Sequence, residues 1–215
     1  SCILRIVCLI FLHFTHAAWR GSLKSMTRTR RATVAMLLVG LAIFSSLYST
    51  QAILPTLVDN MGLSSTEAAM TVSAATGALA LCVVPASILS ERFGRGRILL
   101  ISAVAATGVG LIVPLAQEGW QLIVVRGLQG ALLSGAPATA MAWLSEELDD
   151  KALPRAMGLY IAGTSVGGLT GRLIPTGLVE ISTWRWALFG SALVSLTFAI
   201  TALVLVSTPS KFPAK

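Results

Sequence analysis

Apolar positions in this chain are gathered into long blocks and do not alternate with polar ones. Each block approaches or exceeds the roughly 20 residues that a helix needs to cross a bilayer. Six blocks meet that length: 32–58, 68–90, 98–117, 119–145, 156–179 and 186–206. The first carries no charge, the fourth carries only Arg126 and the fifth only Arg172. Ser64-Ser65-Thr66-Glu67, just ahead of the second block, has the spacing of a helix-capping box and marks a helix start. The pattern predicts an all-α fold, a polytopic membrane bundle of six transmembrane helices joined by short connections.

Composition agrees with a lipid solvent. Charged residues make up 12% of the 215 residues, against roughly 25% in soluble domains. The formal net charge of +7 raises the question of nucleic acid, but the basic residues fall in clusters between apolar runs, which is topology information and not a binding stripe. Arg20, Lys24, Arg28, Arg30 and Arg31 precede the first span, and Arg92, Arg95 and Arg97 join the second to the third. Lys151 and Arg155 precede the fifth, and Lys211 and Lys215 follow the sixth. The alternate connections hold a single base, Arg185. By the positive-inside rule both ends of the six-span unit face the cytoplasm, in a membrane of the bacterial inner-membrane type. Trp120, Trp184 and Trp186 at outer boundaries and Trp143 near an inner one are expected to sit at headgroup level.

Residues 1–31 form an N-terminal extension with a basic cytoplasmic segment, 32–206 the membrane bundle, and 207–215 the start of a cytoplasmic loop. Cys2 to Ala18 is apolar, and signal peptide, seventh span and upstream extension all remain open readings, with extension preferred because Met26 precedes a basic run. His13 and His16 have helical ligand spacing in that segment and are read as incidental. Cys2, Cys8 and Cys82 are read as small apolar residues. No metal, cofactor or enzyme signature is present in the sequence.

Four features carry candidate chemistry. The connection Glu91-Arg92-Phe93-Gly94-Arg95-Gly96-Arg97 must reverse the chain tightly, and an acid at the end of a helix, where the dipole favours cations, calls for an arginine or another helix's N-terminus as partner. Arg126 and Gln129 lie three residues apart and share a helix face. A charge within hydrocarbon is costly and faces either the bundle interior or, by snorkelling, the headgroups. Gly163, Gly167 and Gly171, with Gly168, form a side-chain-free groove for close helix packing, and Pro175 removes an amide and is expected to kink the helix near Gly171. Tyr48 and Gln51 share a face of the first span, near Pro55, as substrate contacts or packing residues.

Three of these stretches resemble the major facilitator superfamily of transporters. The run from Ser87 to Leu99 is similar to its loop motif, with Glu91 in place of an aspartate and Gly96 in place of the second arginine. Arg126-Gly127-Leu128-Gln129-Gly130 resembles its fourth-helix motif, and the glycine-rich fifth span resembles that of drug and metabolite antiporters, with Arg172 where a proline is usual. The entry Trp184-Arg185-Trp186 to the sixth span is also similar. The resemblance implies the N-terminal half of a twelve-span secondary carrier: proton-coupled efflux of a small molecule by alternating access, Arg126 linked to proton coupling, and the loop around Glu91 governing opening. The expected partners are a small-molecule substrate and protons, the lipid bilayer, and a C-terminal six-helix half or a second copy; nucleic acid is not expected. The alternative is a six-span interaction protein that transports nothing. With no acid inside any span, Arg126 and Arg172 are expected to line an outward cavity and to meet an anionic substrate, water, loop acids such as Asp59 or Glu67, or the second half.

Overall fold

A computed structural model describes residues 26–207. The extension, His13, His16, Cys2, Cys8, Lys211 and Lys215 lie outside the described residues. The described residues form eight α-helices in order: α1 Arg28–Tyr48, α2 Leu54–Met61, α3 Ser65–Phe93, α4 Arg95–Gly110, α5 Gly119–Leu133, α6 Gly135–Glu147, α7 Leu153–Ile181 and α8 Trp184–Ser207. Short 3-10 turns, Gln51–Ile53 and Val113–Leu115, follow α1 and α4.

Among the described residues four stretches are both long and apolar enough to cross a membrane: Arg28–Met61, Ser65–Phe93, Arg95–Leu115 and Trp184–Val206. The remaining two expected spans differ for a physical reason. The fourth is divided at Ser134 into α5 and α6. The fifth, α7, is a single 29-residue helix whose glycines, hydroxyl residues and Arg172 lower its hydropathy. These are the two spans that carry an arginine. The first span is also divided, since α1 stops at Tyr48 and Pro55 opens α2 instead of kinking a longer helix. The helix of α7 runs unbroken through Pro175.

Between helices in lipid there is little hydrophobic drive, so association rests on backbone closeness and interior hydrogen bonds. The α1–α7 seam is the most extensive contact in the bundle. A Cβ added at Gly163 would lie 2.5 Å from the Leu37 carbonyl oxygen, at Gly167 2.9 Å from that of Gly40, and at Gly171 2.6 Å from that of Ser45. The glycine groove therefore receives the backbone of α1, and only glycine fits at its floor. Gly130 of α5 meets the backbone of Ala75 in α3 in the same way. Met36, Val39, Ile43, Leu99, Leu133 and Leu144 are fully buried around α1, whereas α3 is peripheral and shows Leu81, Val84 and Ile88 outward.

The capping box forms as expected: the Ser64 hydroxyl accepts from the Glu67 amide at 3.2 Å, and the Ser64 amide donates to the Glu67 carboxylate at 2.8 Å. Tryptophan placement is split. Trp120 and Trp186 are exposed, but Trp143 and Trp184 are buried against their neighbours.

Candidate functional site

Polar chemistry inside the bundle converges on the place where α1 ends. A helix C-terminus leaves its last carbonyls without intrahelical donors and carries partial negative charge. Arg126, reaching across from α5, fills that need. Its guanidinium donates to the Leu47 carbonyl at 2.6 Å, to the Ser46 carbonyl at 3.2 Å and to Gln129 Oε1 at 2.6 Å. Gln129 in turn donates to Ser46 Oγ at 2.8 Å and to the Ala106 carbonyl at 3.2 Å, tying α5 to α1 and α4. Arg126 is completely buried, so it neither snorkels to the headgroups nor lines an open cavity. That corrects the expected cavity placement. Its charge is met by backbone carbonyls, a partner that counting acids could not reveal. A cavity of about 10 Å³, lined by Ser46, Ser49, Gly110 and Gln129 among others, adjoins this network. Among the described residues the buried side-chain polar atoms without partners are Ser45 Oγ, Thr50 Oγ1 and Arg126 Nε, all at the same break.

Arg172 stands on the other side of that break and is exposed. Its Nε and one terminal nitrogen donate to Gln51 Oε1 at 3.2 and 3.0 Å, and the other terminal nitrogen to the Gly168 carbonyl at 3.0 Å. The guanidinium carbon lies 4.1 Å from the centre of the Tyr48 ring, a cation–π geometry. Tyr48, Gln51 and Arg172 therefore come together, though not because Tyr48 and Gln51 share a helical face. Tyr48 is the last residue of α1 and Gln51 the first of the 3-10 turn. Arg126 and Gln129 form a separate, interior group, and neither Asp59 nor Glu67 reaches either arginine; Glu67 is spent on its cap.

At the basic end, Gly94 takes φ +94°, which favours glycine and permits the reversal between α3 and α4. Arg95 pairs with Glu146 at 3.2 Å, and Arg28 with Glu147 at 2.5 Å. Glu91, Arg92 and Arg97 are exposed, and Glu91 makes no ion pair among the described residues. The acids that meet the basic clusters come from the end of α6 instead. Trp143 explains the small residue at position 96: a Cβ there would sit 2.6 Å from the indole nitrogen.

Two further arginines escaped notice as structural pins. Arg31 donates to the Leu205 carbonyl at the end of α8, at 3.0 Å from its Nε. Arg185 donates to the carbonyls of Pro114 and Ala116, the latter at 2.7 Å, and lies 4.3 Å above the Trp184 ring. Their signal in the sequence was faint: each is a base beside an apolar span with no acid at helical spacing.

Among the described residues, an all-helical bundle with membrane-length apolar helices defines a polytopic membrane protein. The model of the Major Facilitator Superfamily matches residues 34–215, and the chain belongs to that superfamily. It is 34% identical over 170 residues to the inner membrane transport protein YnfM of Escherichia coli, covering 79% of this chain and 41% of that protein. It is 33% identical over 171 residues to the uncharacterized MFS-type transporter YybF of Bacillus subtilis, covering 80% and 42%. An uncharacterized transporter of Buchnera aphidicola is 30% identical over 189 residues, covering 88% and 46%. The chain thus spans less than half the length of these relatives.

Proposed function

We propose that this bundle is one half of a secondary carrier that exports a small molecule by alternating access in exchange for protons. It sits in the bacterial inner membrane with both ends of the six-span unit cytoplasmic, and works with a second six-helix bundle. The observation that carries the reading is the exposed guanidinium of Arg172 in the middle of a membrane-length helix, beside Gln51 and Tyr48. A cation bare to lipid at that depth costs several kcal/mol, so this face of the α1–α7 seam belongs to water or to protein. The break in α1, with its three unpartnered polar atoms, supplies an element that can repack between two access states. The similarity of the Arg126 and Gln129 stretch to the coupling motif supports proton exchange, and the glycine-rich α7 supports efflux.

The test is substrate-dependent proton movement in everted vesicles, followed with a pH-gradient dye across a panel of small molecules. Expression of the chain together with a second six-helix bundle should dissipate the gradient on addition of a substrate, and Arg172→Ala should abolish that response. Unchanged transport of every responding compound in Arg172→Ala would sink the role given to Arg172, and a gradient that no compound dissipates would sink the carrier. Transport by the purified 215-residue chain alone in liposomes would overturn the need for a second bundle.

A further inference from the structure

We propose that the Arg172, Gln51 and Tyr48 cluster is a receptor for a carboxylate, which makes the transported molecule an organic monoanion; this rests on the carrier reading above. The geometry of the guanidinium carries the argument. One terminal nitrogen is tied to the Gly168 carbonyl at 3.0 Å, which fixes the plane of the fork. The remaining edge, Nε with the second terminal nitrogen, is the pair of donors that recognises a carboxylate with two parallel hydrogen bonds. Here both donors share a single neutral oxygen, Gln51 Oε1, at 3.2 and 3.0 Å. A carboxylate offers each donor its own charged oxygen, and charge-assisted bonds are about twice as strong as neutral ones. Gln51 thus holds the position of a ligand oxygen with a weaker acceptor.

Displacement is open to it. Gln51 is exposed at the start of a 3-10 turn. Its amide nitrogen donates to no other described residue, so on swinging aside it can donate to the incoming carboxylate. Tyr48 closes one face of the guanidinium at 4.1 Å, so the ligand approaches along the edge. Phe44, with its ring centre 6.2 Å from that of Tyr48, extends the aromatic surface on the α1 side. Charge sets the valence. Arg126 is fully buried and spent on carbonyls, leaving Arg172 as the cation of this open face among the described residues of the spans. One positive charge matches one negative charge, whereas a phosphate dianion would need a second. On α7 the exposed Ser165 and Thr176 lie seven residues before and four after Arg172, with exposed Ile161 and Leu169 on the same side of the helix.

The experiment measures binding of benzoate, benzamide and methylphosphonate to the purified full chain in nanodiscs by saturation-transfer NMR, with folding of each variant checked by size exclusion. Benzoate should bind at least about tenfold more tightly than benzamide, as expected for a charge-assisted bidentate pair, and methylphosphonate should bind more weakly than benzoate. Gln51→Glu should abolish benzoate binding, because its own carboxylate then occupies the edge. Gln51→Ala should bind benzoate at least as tightly as the parent, and Arg172→Lys should lose about tenfold, since an ammonium cannot present two parallel donors. Equal binding of benzoate and benzamide, or the same effect from Gln51→Glu and Gln51→Ala, overturns the carboxylate. Proton-coupled flux of a neutral or cationic compound that Arg172→Ala abolishes also overturns it, while leaving the carrier standing. Loss of all flux for every compound removes the carrier reading itself.

Discussion

Alanine at Gly163 and at Gly158 gives one chemical change on one helix with opposite expected outcomes. At Gly163 the new Cβ would lie 2.5 Å from the Leu37 carbonyl oxygen, and 3.2 Å from both the Leu37 Cα and carbonyl carbon. All three are backbone, so no side chain can turn away. Ordinary contact begins at 3.4 Å, and the α1–α7 seam must therefore open by about 0.9 Å locally. Overpacking of a tight core costs about 1–3 kcal/mol, and the gain in helix propensity on replacing glycine returns about 1 kcal/mol. Gly163→Ala should thus destabilise the bundle by about 0–2 kcal/mol. At Gly158 a Cβ meets nothing within 4 Å, so only the propensity gain remains, and Gly158→Ala should stabilise by up to about 1 kcal/mol. The two substitutions should differ by about 1–3 kcal/mol, with Gly177, equally open, behaving like Gly158. Reversible unfolding in bicelles, by steric trapping or denaturant, measures the difference directly. Values for Gly163→Ala and Gly158→Ala within about 0.5 kcal/mol of each other, well under the overpacking cost, would refute the close-approach account of the seam.

Other substitutions report on the remaining contacts. Arg126→Met leaves the Ser46 and Leu47 carbonyls and Gln129 without their donor, at about 1–3 kcal/mol per orphaned buried group; loss of the folded elution peak, or a clear drop in unfolding midpoint, is the expected result. Gly94→Ala forces a β-carbon into φ +94° and should cost about 1–3 kcal/mol, read as a lowered midpoint with the α3–α4 reversal intact. Gly96→Arg must drive Trp143 from its seat and should destabilise, and Trp143→Ala in the same chain should restore part of the loss, measured as a double-mutant cycle. The pair of half-buried Arg95 and exposed Glu146 should contribute under about 1 kcal/mol to stability, so Glu146→Gln should leave the unfolding midpoint nearly unchanged.

Much of the helical frame was legible because the apolar blocks are long and their separators are charged. The glycine stripe of α7 announced a close approach, but its partner did not, since a groove without side chains says nothing about which backbone enters it. The breaks at Tyr48 and Ser134 were hidden for a related reason: no charged residue stands at either, so block length alone reads straight across. Arg172, Gln51 and Tyr48 were each picked out as polar residues in the wrong solvent, and their meeting needed the break in α1 to turn Gln51 toward α7. The acceptors of Arg126 were invisible in principle, because every residue has a carbonyl and only the fold decides which ones lack a donor. Trp143 was misplaced because an aromatic near a span's end satisfies the interface pattern equally well whether it faces headgroups or a glycine.

Arg31, Arg126 and Arg185 share a trait that bears on how this chain tolerates mutation. Each donates to main-chain oxygens at the end of another helix: Leu205, Ser46 with Leu47, and Pro114 with Ala116. An ion pair between side chains is written by two codons, so either can be lost and a charge swap can rescue it. In these three contacts one side is not encoded by residue identity at all. The side chains at positions 47 and 205 can drift within apolar limits without removing the acceptor, and no compensating change elsewhere can substitute for the arginine. Such joints are robust to half of the mutations that would break a salt bridge and irreparable by the other half.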